Sequence, residues 1–250
     1  MSFAWIDKQR LGTLLQGTFL NLGSPLSARM AAQTGFDWVL IDLEHGAGTE
    51  ETLASLLLAV EGSTCAPIVR VVSNNQDSIK RALDLGAVGV MIPYVSTAAE
   101  AEAAVSYTRF PPVGCRGVAS STVATGFGMW TDRYHQSAPT DVTTIVQIET
   151  REGVENAGEI AAVDGVDVLF VGPLDLSFNL GCAKQFDHPD LHAAFDQVVQ
   201  ACRSHNKAAG ILSNPQRFAG HQTQGFTFVA VGSDAGALRE GLEQLYKVES

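Results

Sequence analysis

Residues Thr143 to Ser177 read TTIVQIETREGVENAGEIAAVDGVDVLFVGPLDLS. Two apolar runs rich in branched residues, TIVQI and VDVLFV, each end in polar residues and flank a helical segment, which is the pattern of one βαβ unit in a parallel sheet. Glu149 closes the first run, and Asp175 lies just past the second, 26 positions on. That interval is one strand, helix and return, so adjacent parallel strands carry two carboxylates to the same rim of the sheet. Carboxylates paired in this way either bind a hard divalent cation or share a proton.

Working outward, apolar runs and helical patterns alternate along the chain. Before the quoted stretch come GTFLNL (17–22), WVLIDLE (38–44), PIVRV (67–71) and VGVMIPY (88–94), separated by helices opened at Ser24-Pro25, spanning about Thr49 to Val60, running through Asp84, and spanning Thr97 to about Thr108. After it come a helix from about Pro189 to Asn206, AAGILS (208–213), a helix from Pro215 to about Gln224, FTFVAVG (226–232) and a terminal helix to about Val248. Eight βα units in 250 residues predict a single-domain α/β protein, a (β/α)8 TIM barrel spanning 1–250. The alternative is an open doubly wound sheet, but no GxGxxG follows the first strand. One connection is long and rich in Gly, Ser, Thr and Pro, from Phe110 to Asp141, and is expected to be a lid or binding loop.

Composition narrows the class. The hydrophobic share is 46% and the formal net charge is −11. So acidic a chain argues against nucleic acid or an anionic membrane surface as a partner, since both select basic patches. Cys65, Cys115, Cys182 and Cys202 have neither CxxC spacing nor histidine partners, so they are expected to be reduced, mostly structural thiols. The first residues, MSFAWIDKQR, have no leader pattern, and no uncharged apolar run reaches the roughly 20 residues of a membrane span, which predicts a soluble, cytoplasmic protein.

In a TIM barrel the chemistry lies at the carboxyl ends of the strands. There the second strand brings Asp42, Glu44 and His45, the third Arg70, the fifth Gln147 and Glu149, and the sixth Gly172, Pro173 and Asp175. Glu149 and Asp175 offer hard oxygen ligands to a divalent ion with open positions for substrate. Arg70 suits a carboxylate or a developing enolate oxygen, or else an internal salt bridge to one of the same acids. His45, oriented by Asp42 or Glu44, is a candidate general base, or else a hydrogen-bonded turn residue. The GPLDLS turn can offer backbone N–H groups to an anion. Lys8, Lys80, Lys184, Lys207 and Lys247 are the only lysines, and Lys207 starts the seventh strand, at the wrong end for a Schiff base in the mouth.

These residues carry a resemblance. Asp42-Leu-Glu-His45-Gly, Pro67-Ile-Val-Arg70, Pro111-Pro-Val-Gly-Cys-Arg-Gly117, Gln147-Ile-Glu149-Thr, Gly165-Val-Asp, Gly172-Pro-Leu-Asp175-Leu-Ser and Val229-Ala-Val-Gly232 resemble, in order over nearly the whole chain, the HpcH/HpaI family of class II pyruvate aldolases. The resemblance implies a barrel assembled as a homohexamer with the last helix exchanged between neighbours. It implies a divalent metal (Mg, Mn, Co or similar) on Glu149 and Asp175, and proton transfer by His45 with Asp42. It places Arg70 on the keto acid and its enolate, and Gln147, Gly172, Pro173, Leu174, Ser213 and Phe19 along the substrate. Asp84 matches an aspartate contributed across a subunit interface.

The implied reaction joins or parts a 2-oxo acid such as pyruvate and an aldehyde through a metal-bound enolate, with oxaloacetate decarboxylation as a side activity and no organic cofactor. Leu174 stands where many members have a small residue, and Phe19 where several carry tryptophan. No Lys or Arg lies between Arg116 and Arg133, which favours a neutral aldehyde. The rival readings are a lyase of the citrate-lyase β type acting on CoA thioesters, and a catalytically silent keto-acid-binding barrel.

Overall fold

The computed structural model describes residues 4–246, so the expected end of the last helix at Val248 lies outside the described residues. Eight parallel strands close into a barrel in chain order: β1 (Leu15–Leu20), β2 (Trp38–Asp42), β3 (Ala66–Arg70), β4 (Gly89–Ile92), β5 (Thr143–Ile148), β6 (Val168–Val171), β7 (Ala208–Ser213) and β8 (Phe228–Ser233). The closing pair is β1 with β8, which rules out the open sheet. Around it lie α1 (Pro25–Gln33), α2 (Glu50–Val60), α3 (Gln76–Asp84), α4 (Ala98–Thr108), α5 (Thr131–Asp141), α6 (Arg151–Glu155), α7 (Ala157–Ala162), α8 (Pro173–Asn179), α9 (Pro189–Ser204), α10 (Phe218–Gln224) and α11 (Asp234–Tyr246).

Alternation along each strand divides the core in two. Val39, Ile41, Val69, Val146, Leu169 and Ile211 pack outward against the helices, whereas Trp38, Leu40, Ile68, Ile145, Phe170 and Phe228 fill the barrel. Because both faces are covered, every residue of β2, β3, β4, β5 and β6 is buried, which is why these strands read as continuous apolar runs. Trp38 stacks on Phe228 at 4.3 Å between ring centroids and meets Phe170 edge-on. Gly17 makes this possible, since a Cβ there would lie 2.2 Å from the Trp38 ring. The same period of two makes Asp42, Arg70 and Gln147 the uppermost inward residues of their strands, above Leu40, Ile68 and Ile145.

Two local expectations are corrected. The connection 110–141 is not loop throughout, because its last third is α5, held by buried Tyr134 and Ala138 four residues apart despite Pro139 inside it. The helix between β5 and β6 is broken at Asn156 into α6 and α7. The GPLDLS turn, expected to offer backbone N–H groups, opens a helix, with Gly172 at the N-cap and Pro173 at the first position of α8. The four cysteines are free, and all but Cys115 are buried.

Candidate active site

The mouth at the carboxyl ends of the strands is a cavity of about 330 Å3 lined by Phe19, Asp42, His45, Arg70, Gln147, Glu149, Gly172, Pro173, Leu174, Asp175 and Ser213, among others. All the sequence-predicted site residues except Asp84 therefore converge there. A larger cavity of about 660 Å3 lies at the opposite end, next to Gly86–Val88 and Asp141, which precede β4 and β5. It gathers none of the rim chemistry, so size alone does not locate the site.

Register explains the grouping. Asp42 pairs with Arg70 across β2 and β3, and Ile148 pairs with Val171 across β5 and β6, so Glu149 and Gly172 follow side by side. Gly172 approaches so closely that a Cβ would lie 2.2 Å from Glu149 Oε1. Only glycine leaves that carboxylate its place.

Arg70 is gripped along one edge and more loosely met along the other. Its Nε and Nη2 donate to Asp42 Oδ1 at 2.9 Å and Oδ2 at 2.7 Å, a bidentate bond between groups that are 7% and 1% exposed. Nη1 faces Gln147 Oε1 at 3.5 Å and Glu44 Oε2 at 3.0 Å, the latter an ion pair without hydrogen-bond alignment. The Phe19 ring lies 5.3 Å from the guanidinium carbon, a cation–π contact from below. Burial pushes Asp42 upward, but the hydrogen bonds and charge of Arg70 outweigh it and hold the carboxyl below its usual range. For Glu44 burial prevails over Arg70, and its carboxyl is raised.

Glu149 is 2% exposed, accepts from Gln147 Nε2 at 2.9 Å and from the Tyr94 amide at 3.3 Å, and is pushed up to about 7 by burial and then by Asp175. Tyr94 ties the two acids together, its hydroxyl donating to Asp175 Oδ1 at 3.1 Å. It does so at φ 52°, a left-handed conformation that a tyrosine seldom adopts and that concentrates at functional sites. Among the described residues no three His, Cys, Asp or Glu side chains converge to enclose a metal unaided. Two crowded carboxylates, one of them reluctant to ionise without a cation, nonetheless suit an ion that keeps its other positions for substrate and water.

One sequence expectation changes in detail. His45 is not oriented by the Asp42 carboxylate: Asp42 Oδ1 receives the backbone amides of Glu44 and His45, at 3.1 and 3.2 Å, because its charge is committed to Arg70. The imidazole itself is 62% exposed, with Nε2 3.8 Å from Glu44 Oε1. Asp84, matched to a residue contributed across a subunit interface, sits at the far end of α3, bound to Arg116 Nη2 at 2.7 Å and away from this chain's own mouth. Arg70 makes the internal salt bridge that was one of its two readings, and the pair with Asp42 sets the direction of Nη1. Asn21 and Tyr94 were not foreseen. Asn21 Nδ2 donates to Asp42 Oδ2 at 2.6 Å. Each stands at the end of an apolar run, as the foreseen residues do, so its place at the rim could be read from the sequence but its partners could not.

Comparison with known proteins identifies the family. A 5-keto-4-deoxy-D-glucarate aldolase from Shigella boydii is 42% identical over 230 residues, covering 92% of this chain and 89% of that one. A solved HpcH/HpaI aldolase/citrate lyase family protein from Burkholderia cenocepacia superposes with a TM-score of 0.92 at 38% identity, over 97% of this chain and 98% of that one. An HpcH/HpaI aldolase from Desulfitobacterium hafniense gives 0.89 at 28% identity, over 99% of both. The family model described as HpcH/HpaI aldolase/citrate lyase matches residues 15–240, from the first strand into the last helix, and the chain belongs to that family of carbon–carbon lyases.

Proposed function

We propose that the enzyme cleaves a 4-hydroxy-2-oxo acid into pyruvate, or a close 2-oxo acid, and an aldehyde, and catalyses the reverse addition. The observation that carries this reading is Arg70, a buried guanidinium lining the mouth, with one edge locked by Asp42 and Nη1 between Gln147 and Glu44. A fixed donor of this kind stabilises negative charge growing on the oxygen of a 2-oxo group as it becomes an enolate, without reorganising first. Glu149 and Asp175 are the residues that would hold a divalent ion such as Mg2+, Mn2+ or Co2+, which when bound supplies Lewis-acid polarisation of the 2-oxo group.

The chain's own residues account for the proton. In the cleavage direction the His45 imidazole takes the proton of the 4-hydroxyl as the C3–C4 bond breaks. The bonding pair passes to the 2-oxo acid fragment as an enolate, the aldehyde departs, and the imidazolium returns a proton to C3. Gln147, Gly172, Pro173, Leu174, Ser213 and Phe19 line the substrate space.

We further infer a homo-oligomer, a hexamer in which the last helix is exchanged. α11 has no buried residue and exposes Leu238, Leu242 and Leu245. In such an assembly Asp84 would serve a neighbour's mouth. One domain over the whole chain and a cytoplasmic location complete the reading, and no helix among the described residues is long and apolar enough to cross a membrane.

The test is exchange of pyruvate C3 protons with heavy water, followed by NMR. Exchange should stop with a chelator and return with Mn2+ or Mg2+; a metal-loaded enzyme that exchanges nothing would refute the reading.

A further inference from the structure

The mouth does not end at β7. Pro173, Leu174, Leu212 and Ser213 line it on one side, and the same four residues line a second cavity of about 190 Å3 that continues between α8, α9 and α10. Its far wall is mixed. Phe186 and Phe195 give it an apolar side, while Arg217 and His221 give it a polar one.

At the junction Ser213 Oγ lies 2.8 Å from Nδ1 of His221. The imidazole is 6% exposed and packs edge-on against Phe195 and Phe226, yet its Nε2 makes no hydrogen bond among the described residues. Burial, with smaller contributions from His192 and Arg217, pushes this histidine down to about 4, so it is uncharged at neutral pH and can both give and accept a hydrogen bond. A histidine that only fills the core needs neither a cavity at its edge nor a hydroxyl partner shared with the active site.

We propose that this second cavity is a branch of the active site that takes a short hydroxylated substituent on C3 of the 2-oxo acid donor, with the Ser213–His221 pair binding its hydroxyl. The proposal rests on the aldolase reading above. Barrel order selects the donor over the aldehyde. The donor is placed at β5 and β6, where Glu149 and Asp175 would hold the divalent ion, and the branch opens at β7, the next strand around the barrel. His45 follows β2, on the other side of the mouth, where the aldehyde carbonyl meets its proton.

The test compares C3 exchange of pyruvate, 2-oxobutyrate and 3-hydroxypyruvate by the full-length, metal-loaded enzyme and by His221→Phe, which keeps a ring between Phe195 and Phe226 but no nitrogen. The parent should prefer 3-hydroxypyruvate over 2-oxobutyrate by at least about 10-fold in kcat/KM, as expected where a buried pair is matched to a hydroxyl. His221→Phe should erase that preference while pyruvate stays within about twofold, since pyruvate has no branch to place. His221→Gln, which can still bond Ser213, should retain part of it and decides the matter if the phenylalanine variant does not fold. No preference in the parent, or a parallel fall for all three donors in the variants, overturns the proposal. Failure of the parent with all three donors refutes instead the reaction assigned above.

Discussion

Consider Glu149→Gln in protein stripped of metal. The carboxyl it replaces is raised from 4.5 to about 7 by burial and by Asp175. A folded-state value above the unfolded one favours the fold fully below about pH 4.5, and that contribution is lost as the pH climbs through 7. At 1.36 kcal/mol per pH unit, the metal-free parent therefore carries about 3 kcal/mol of penalty at pH 8. Glutamine carries none. It gives up one of the two hydrogen bonds the carboxylate accepts, from Gln147 and from the Tyr94 amide, which costs about 1 kcal/mol. The variant should thus be more stable by about 2 kcal/mol at pH 8, or roughly 4–8 °C in Tm for a chain of this size. At pH 5 the advantage should vanish or reverse. Thermal melts followed by circular dichroism at one protein concentration, with chelator, read the difference directly, and added Mn2+ should raise the parent's Tm more than the variant's. An offset of the same size at both pH values would refute the argument that the Glu149 charge is what strains the empty site.

Other substitutions test neighbouring parts. Arg70→Lys keeps a charge beside Asp42 but loses the two-edged fork, so kcat/KM should fall at least about 100-fold; activity within tenfold of the parent would remove Arg70 from the transition state. Arg70→Ala is the poorer probe, because it strands the buried Asp42 charge and should cost about 3–5 kcal/mol in denaturant titration, whatever its effect on turnover. Gly172→Ala drives a Cβ into the Glu149 carboxylate, and calorimetric titration should show Mn2+ affinity down by at least about tenfold; unchanged affinity would separate Glu149 from the metal. Leu238→Asp with Leu242→Asp should break the assembly into smaller species by light scattering, if the exposed face of α11 is an interface.

The barrel was legible because its strands are buried on both faces and so appear as unbroken apolar runs between amphipathic helices. WVLID and TTIVQI are the clearest cases. Asp42, Arg70, Gln147 and Glu149 were legible because polar residues that end such runs have nowhere to go but the rim. What escaped depends on contacts between segments far apart in the chain. Nothing in NLG indicates that Asn21 grips Asp42, and nothing in IPY shows Tyr94 spanning Glu149 and Asp175. The DLEH motif invited an Asp–His pair, but a spacing of three places the His45 amide, not its ring, on the carboxylate. α5 was hidden by Pro139 and its polar neighbours, since the packing of Tyr134 against the barrel base, which helps hold it, is a tertiary effect.

The openness of His45 has an isotopic consequence. A base sealed from water hands back the same hydrogen it removed, whereas an imidazolium with 62% of its side chain in solvent trades its proton with the bulk before the enolate recaptures it. A 2-oxo acid carrying deuterium at C3 should then lose its label to ordinary water with no aldehyde present, because the hydrogen that His45 takes from carbon leaves with the solvent instead of returning.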